Sequence, residues 1–262
     1  MREERRVDMI FSSNALANVE AVLFDLFDTL LIVERDKNSV KVNEECLKQV
    51  YKFLNMNGIN ISYENFRQAY REIRNQFYER IYKNFEEPHF THRISQVLIM
   101  LGYNYPPNSP IVVGAANAYS EEFMRHVYPD EDAAFVLRIL LKHGYKTGII
   151  SNFAIPECAH KLISLHGLKG LLNVVIISAE VNRRKPSSEI FSVALRALGV
   201  EAARSIFVGD TPDIDIRGAK AAGMKTILVE RGNTRISRIE DEPDFRVSSL
   251  KEILRLLRIN AS

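Results

Sequence analysis

Two cysteines, Cys46 and Cys158, are all that this chain of 262 residues carries. They share no C-x-x-C spacing, so neither a disulfide framework nor a thiolate zinc site is indicated. Charge of one sign is lacking too: 35 Lys and Arg against 33 Asp and Glu leave a net +2, without the basic surplus that nucleic-acid binding uses. No apolar run approaches the roughly 18 residues of a membrane span. The charged opening Met1–Arg6 is followed only by Met9 to Phe11 as an apolar stretch, too short for a secretory h-region. These absences lead to the expectation of a cytoplasmic protein in reducing surroundings, with residues 1–19 as a tail or small added element. Neither nucleic acid nor membrane is expected as a partner. Oligomeric state cannot be read.

What is present is an ordinary globular composition, 46% hydrophobic and 26% charged, in a chain long enough for one large domain or a core plus an insertion. The run Ala21-Val22-Leu23-Phe24 stops abruptly at Asp25. Continuous apolar character of this length reads as a buried parallel strand that delivers a carboxylate to the edge of a sheet, where open α/β folds place their chemistry.

The apolar period then turns helical. Val42, Cys46, Leu47, Val50, Phe53 and Leu54 form one stripe; Tyr63, Phe66, Tyr70, Ile73, Phe77 and Ile81 a second; Ile94, Val97, Leu98 and Leu101 a third; Val112, Ala116, Tyr119, Phe123 and Val127 a fourth. No strand is expected among them. Spacing of three and four residues is what a bundle core requires, so the aromatics of the second stripe read as packing rather than as a base-stacking surface.

From Asp130 onward helices alternate with apolar runs at 147–151, 174–178, 205–210 and 226–229, and a closing helix is expected at 248–257. This alternation means crossover units and a parallel sheet covered on both faces. The expected fold is therefore α/β, with a Rossmann-like doubly wound parallel sheet. Its core comprises residues 20–33 and 129–262, with a helical cap domain, 34–128, inserted over Asp25.

Four polar signals sit where apolar strands end: Asp25, Ser151, Lys185-Pro186, and the cluster Gly209-Asp210-Thr211-Pro212-Asp213-Ile214-Asp215. Strand ends of a parallel sheet lie side by side, so the four can converge. Singly each has a plain explanation: a turn, a cap, a solvated charge beside Arg183 and Arg184, or carboxylates at a helix start. Together they leave several carboxylates near Asp25, repelling one another by a few kcal/mol per close pair at an effective dielectric of about 20. A bound cation relieves that, and all-oxygen ligation suits Mg²⁺.

In kind, order and setting, these signals resemble the four motifs of the haloacid dehalogenase superfamily of hydrolases, of the subfamily with a helical cap after the first motif. The match runs from residue 20 to about 250 and is most specific at 208–215, followed by Gly218-Ala219 and Ala222-Gly223-Met224. The resemblance implies Asp25 as nucleophile toward phosphorus, with Thr29 completing the first motif. Ser151 would bond the transferring group, with Asn152 beside it at the substrate, and Lys185 would neutralise the charge shared by Asp25 and substrate. Mg²⁺ would be held by Asp25, the Phe27 carbonyl, Asp210 and Asp215. Asp213 reads as a helix-start residue.

Phe27 departs from the pattern. Phosphatases of this family carry Asp two residues after the nucleophile, where it protonates the leaving group and activates water, and Asp28 is not an automatic replacement because successive residues point in different directions. Three readings follow. The first is a Mg²⁺-dependent hydrolase of a small phosphorylated metabolite. The second is a metal-independent 2-haloacid dehalogenase, in which Asp25 displaces halide and Arg35 receives halide and carboxylate. The third is a binding protein of the same fold with impaired catalysis. His89 and His92 are candidates for an acid supplied by the cap, with packing or exposure as their plainer roles.

Overall fold

The computed structural model describes residues 16, 18–34, 40–231 and 238–259. Arg35 and nearly all of the expected N-terminal tail lie outside the described residues. A six-stranded sheet is built from β1 (Ala21–Phe24), β4 (Lys146–Ser151), β5 (Val174–Ile177), β6 (Ser205–Gly209), β7 (Lys225–Val229) and β8 (Phe245–Val247), in the order β5-β4-β1-β6-β7-β8. Every pairing is parallel. The chain runs outward from β1 to one side through β4 and β5, then returns to the other side through β6, so the strand order reverses at β1. That reversal opens a crevice at the carboxyl ends of β1, β4 and β6. Phe24 is in register with Ile149 and with Val208, which sets Asp25 between the last residues of the two flanking strands.

Alternation along β1 divides the core. Val22 and Phe24 point to one face and join Val136, Leu137 and Leu140 of α5 (Ala133–Lys142) and Ile253 and Leu254 of α10 (Lys251–Leu256). Ala21 and Leu23 point to the other and meet Ile190, Phe191, Ala194 and Leu195 of α8 (Ser188–Leu198). A strand covered on both faces has no polar side to display, hence the continuous apolar run. Each fully buried side chain of this kind contributes about 1.5–3 kcal/mol relative to exposure.

Between β1 and α5 come β2 (Leu31–Val33), four helices and β3 (Val127–Pro129). The helices are α1 (Val40–Met56), α2 (Tyr63–Arg80), α3 (Phe90–Met100) and α4 (Pro110–Met124). The apolar stripes form their shared interior: Cys46, Val50 and Leu54 of α1 are buried with Val112, Ala115 and Ala116 of α4, and Phe66, Tyr70 and Ile73 of α2 with Ile94, Val97 and Leu98 of α3. Among the described residues, no helix is long and apolar enough to cross a membrane.

Two details differ from the sequence reading. The helical segment is bracketed by an antiparallel ladder, β2 with β3, so Val127 pairs with Val33 in a strand and does not extend the fourth helix. The expected helix after the last motif opens as a π-helical turn, Pro212–Ile216, before the short α9 (Arg217–Ala221). Three-residue strands are too short to show period-two alternation, and i→i+5 turns of this kind recur at functional sites.

Candidate active site

Asp25 leaves β1 with its backbone N–H still donating to the Val208 carbonyl at 2.8 Å, so its position is fixed by the sheet. The residue is 8% exposed, and its carboxylate accepts a hydrogen bond from Lys185 Nζ at 2.6 Å. The same ammonium donates to Asp215 Oδ1 at 2.7 Å. Asp215 Oδ2 accepts from the Thr211 N–H at 3.0 Å, and the Thr211 hydroxyl donates to Asp210 Oδ1 at 3.1 Å. Asp25, Asp210 and Asp215 each place a carboxylate oxygen within 4.8 Å of the others. Asp213, by contrast, is exposed on the outer side of the turn, which agrees with its reading as a helix-start residue.

The local chain explains this convergence. The π-helical turn brings Asp215 back under β6, so close that a Cβ on Gly209 would meet Asp215 Cγ at 2.5 Å. Only glycine fits there. Lys185 is aimed by Asn152, whose Oδ1 accepts from the Lys185 N–H at 2.8 Å and whose Nδ2 donates to the Lys185 carbonyl at 2.9 Å. Asn152 thus commits both ends of its amide to positioning the lysine.

One cation for three carboxylates leaves excess negative charge. Burial pushes the Asp25 carboxyl up to about 8; Lys185 opposes the rise, while Asp215 and Asp210 add to it. Burial likewise raises Asp210 to about 6, helped by Asp215 and Asp28. Burial works against the Lys185 charge, but Asp215 and Asp25 outweigh it and hold the ammonium above its usual range. A cluster that resists full ionisation while offering only oxygen donors fits a hard divalent cation.

Two further features fit an ion and an anionic ligand. The carbonyls of Leu26, Asp28, Thr29 and Leu30 all accept hydrogen bonds, whereas none from a described residue reaches the Phe27 carbonyl. The Ser151 hydroxyl and the Thr29 hydroxyl are buried without a partner among the described residues, a costly state for a polar group and a reserved donor for a ligand.

Phe27 is half-buried in an aromatic trio. Its ring centroid lies 4.8 Å from that of Phe153 and 5.5 Å, edge-on, from that of Phe123 on α4. Phe123 and Phe153 close the triangle at 5.3 Å. The residue that would be an acid in a typical phosphatase of the resembling family instead ties the loop to the helical segment. Asp28, held at φ 59°, accepts from the Val33 N–H at 3.3 Å. His89 spans Thr91 and Glu157, with Nε2 at 3.1 Å from the carboxylate, and His92 is exposed.

Arg231 gave no signal in the sequence. Its Nε donates to the Asp28 carbonyl at 3.1 Å and its Nη2 to the Thr29 carbonyl at 3.0 Å and Asp130 at 2.6 Å. It clamps the loop carrying Phe27 to the strand returning from the helical segment.

Comparison with known proteins agrees with this geometry. A family model described as haloacid dehalogenase-like hydrolase matches residues 19–223. A glyceraldehyde 3-phosphate phosphatase of Methanopyrus kandleri is 30% identical over 243 residues, 92% of this chain and 97% of the relative. A phosphoserine phosphatase of Thermus thermophilus is 34% identical over 139 residues, 53% of this chain and 54% of that one. Among solved structures, a 2-haloacid dehalogenase of Pseudomonas syringae superposes with a TM-score of 0.69 at 20% identity, over 92% of this chain and 98% of the other, a likeness of fold. A phosphatase of Thermococcus onnurineus superposes with a TM-score of 0.61 at 25% identity, over 91% and 98%. The chain therefore belongs to the haloacid dehalogenase-like hydrolases.

Proposed function

We propose that the protein hydrolyses small phosphate monoesters with Mg²⁺, using Asp25 as nucleophile and the helical segment as a cap. The observation that carries this reading is the retained acidic set: Asp25, Asp210 and Asp215 within 4.8 Å, bridged by a lysine that neutralises one charge only. Names of relatives that match over most of the chain point the same way. Asp25, Asp210, Asp215 and the Phe27 carbonyl would hold the ion. Bound there, it would supply positive charge against the oxygens of the transferring phosphoryl group.

The chain's own groups perform the displacement. Asp25 Oδ attacks phosphorus, the ester P–O bond breaks, and an aspartyl-phosphate remains. Lys185 opposes the upward shift of the Asp25 carboxyl, favouring its ionised form, and offsets charge on the phosphoryl group, while the Ser151 hydroxyl donates to one of its oxygens. Water then attacks phosphorus, releasing phosphate and restoring Asp25. Phe27 cannot protonate the departing alkoxide, so that proton comes from water. Without general acid help the step runs about 10²- to 10⁴-fold below its potential for poor leaving groups.

The test is phosphate release from a panel of phosphate esters, with Mg²⁺ and with EDTA. Release that needs Mg²⁺ supports the reading; no release from any ester, or release indifferent to EDTA, overturns it. A second reading, 2-haloacid dehalogenation, has the aromatic setting of Phe27 in its favour. Halide release from 2-chloropropionate with EDTA present, alongside no phosphate release, would put it first.

A further inference from the structure

A cavity of about 420 Å³ is lined by the sequence neighbours of Ser151 and Lys185 and by the helical segment. Its floor is the run 152–155, which follows Ser151, together with Arg184, the residue before Lys185; its walls come from α1 to α4 and the segment between α2 and α3. Asp25, Lys185, Asp210 and Asp215 are not part of its lining, so it adjoins the reacting centre and does not duplicate it. The Phe153 ring, which packs on Phe27, stands at the boundary.

The charge in this cavity is one-sided. Arg74, Arg93 and Arg184 line it against a single carboxylate, Glu87, a formal balance of 3 − 1 = +2. Glu87 is taken: it pairs with Arg184 at 3.4 Å and accepts from the Ser178 hydroxyl at 3.3 Å. Arg93 donates only to neutral acceptors, Tyr70 at 3.0 Å and Tyr82, and lies over the Tyr70 and Phe90 rings at 5.9 and 5.4 Å. Arg74 makes no ion pair or hydrogen bond with any described residue. The Nε atoms of Arg74 and Arg93 are both buried without a partner.

A solvated helix face would leave such guanidiniums in water, their Nε atoms included. Here aromatic rings shield Arg93 and Arg184, the single carboxylate Glu87 is shared between those two, and Arg74 has none among the described residues, a surplus of cation that is unfavourable unless an anion enters. Planar guanidiniums bind carboxylate and phosphate through paired N–H donors, and tyrosine hydroxyls supply further polar contacts. Ordinary packing accounts for the aromatic rings but not for three guanidiniums gathered around one carboxylate.

We propose that this cavity binds a second anionic group, a carboxylate or a further phosphate, on the same substrate whose scissile phosphate meets Asp25. The inference rests on the phosphate-ester reading and narrows it to esters with a charged tail, in preference to those ending in an alcohol or aldehyde.

Titration calorimetry in Mg²⁺ tests it with three non-hydrolysable probes: ethylphosphonate, 3-phosphonopropionate and propane-1,3-bisphosphonate. At least one charged-tail probe binds the wild type about 10- to 100-fold tighter than ethylphosphonate, the range of a charge-assisted contact. Whichever of the two is tighter identifies the tail as carboxylate or phosphate. In Arg74→Gln, whose unfolding midpoint reports that it folds, the advantage shrinks to within about threefold. Equal binding of all three probes to the wild type overturns the inference, while ethylphosphonate binding leaves the phosphate-ester reading standing. If no phosphonate binds and no ester is turned over, that reading fails and this one with it.

Discussion

Replacing Lys185 by Met removes the ammonium that touches two buried carboxylates, at 2.6 and 2.7 Å, and leaves three carboxylates within 4.8 Å of one another. Breaking a buried ion pair by deleting one partner destabilises by about 3–5 kcal/mol, because the remaining charge is uncompensated. The loss depends on pH with a definite sign. Asp25 sits at about 8 in the folded protein against 3.8 for an unperturbed carboxyl. Between these limits the folded state holds a proton that the unfolded state has released, so stability falls as pH rises. Without Lys185 the folded values of Asp25 and of Asp210, about 8 and about 6 in its presence, both move higher, so the fall continues to higher pH and the deficit grows between pH 6 and 8. Urea unfolding in EDTA therefore shows a Lys185→Met deficit of about 3–5 kcal/mol at pH 8 that narrows at pH 5, and Mg²⁺ at pH 8 recovers part of it. Turnover falls by at least about 100-fold, as for loss of one charge-stabilising group. A deficit below about 1 kcal/mol, or one that widens toward pH 5, would refute the electrostatic account of the site.

Other perturbations probe separate parts of the structure. Gly209→Ala places a methyl 2.5 Å from Asp215 Cγ, so Asp215 must shift; the Mg²⁺ concentration for half-maximal activity rises about 10-fold or more, and an unchanged value would contradict the packing. With no acid at Phe27, wild-type kcat climbs steeply as leaving-group pKa falls, and Phe27→Asp flattens that dependence; a flat wild-type plot would show that another acid serves. His126 is held above its usual pKa by its bond to Glu34, against burial and with help from Glu122 and Glu45. Its stabilisation is complete below about 6.5 and lost as pH rises through the raised value, so wild type and His126→Gln converge in unfolding midpoint toward pH 9, and a gap that widens would refute this.

Much of this architecture was legible because each part obeyed one rule. Parallel strands buried on both faces write themselves as apolar runs, and Asp25, Ser151 and Asp210 each end or immediately follow one, so their convergence followed from topology. β2, β3 and β8, with three residues each, carry no such pattern. Arg231 acts on a carbonyl 203 positions away, a relation no local spacing encodes. Asn152 was expected at the substrate; that its amide also fixes the backbone of Lys185, 33 residues away, no local spacing encodes. Arg184 figured in the sequence only as a neighbour of Lys185, because only tertiary packing sets it over the Tyr82 ring at 4.2 Å. Phe27 was visible as a departure, but its rationale depends on Phe123 and Phe153, which the fold alone brings to it.

Attack by Asp25 on phosphorus would leave a covalent trace on the enzyme. Enzyme mixed with excess ester and Mg²⁺, quenched in acid within one turnover and reduced with borohydride, reports the attacked carboxyl by peptide mass mapping, since an aspartyl-phosphate is reduced to homoserine. Homoserine is expected at position 25, present only with substrate and Mg²⁺ and absent in Asp25→Asn. Reduction at another carboxylate, or none during active phosphate release, would contradict attack by Asp25.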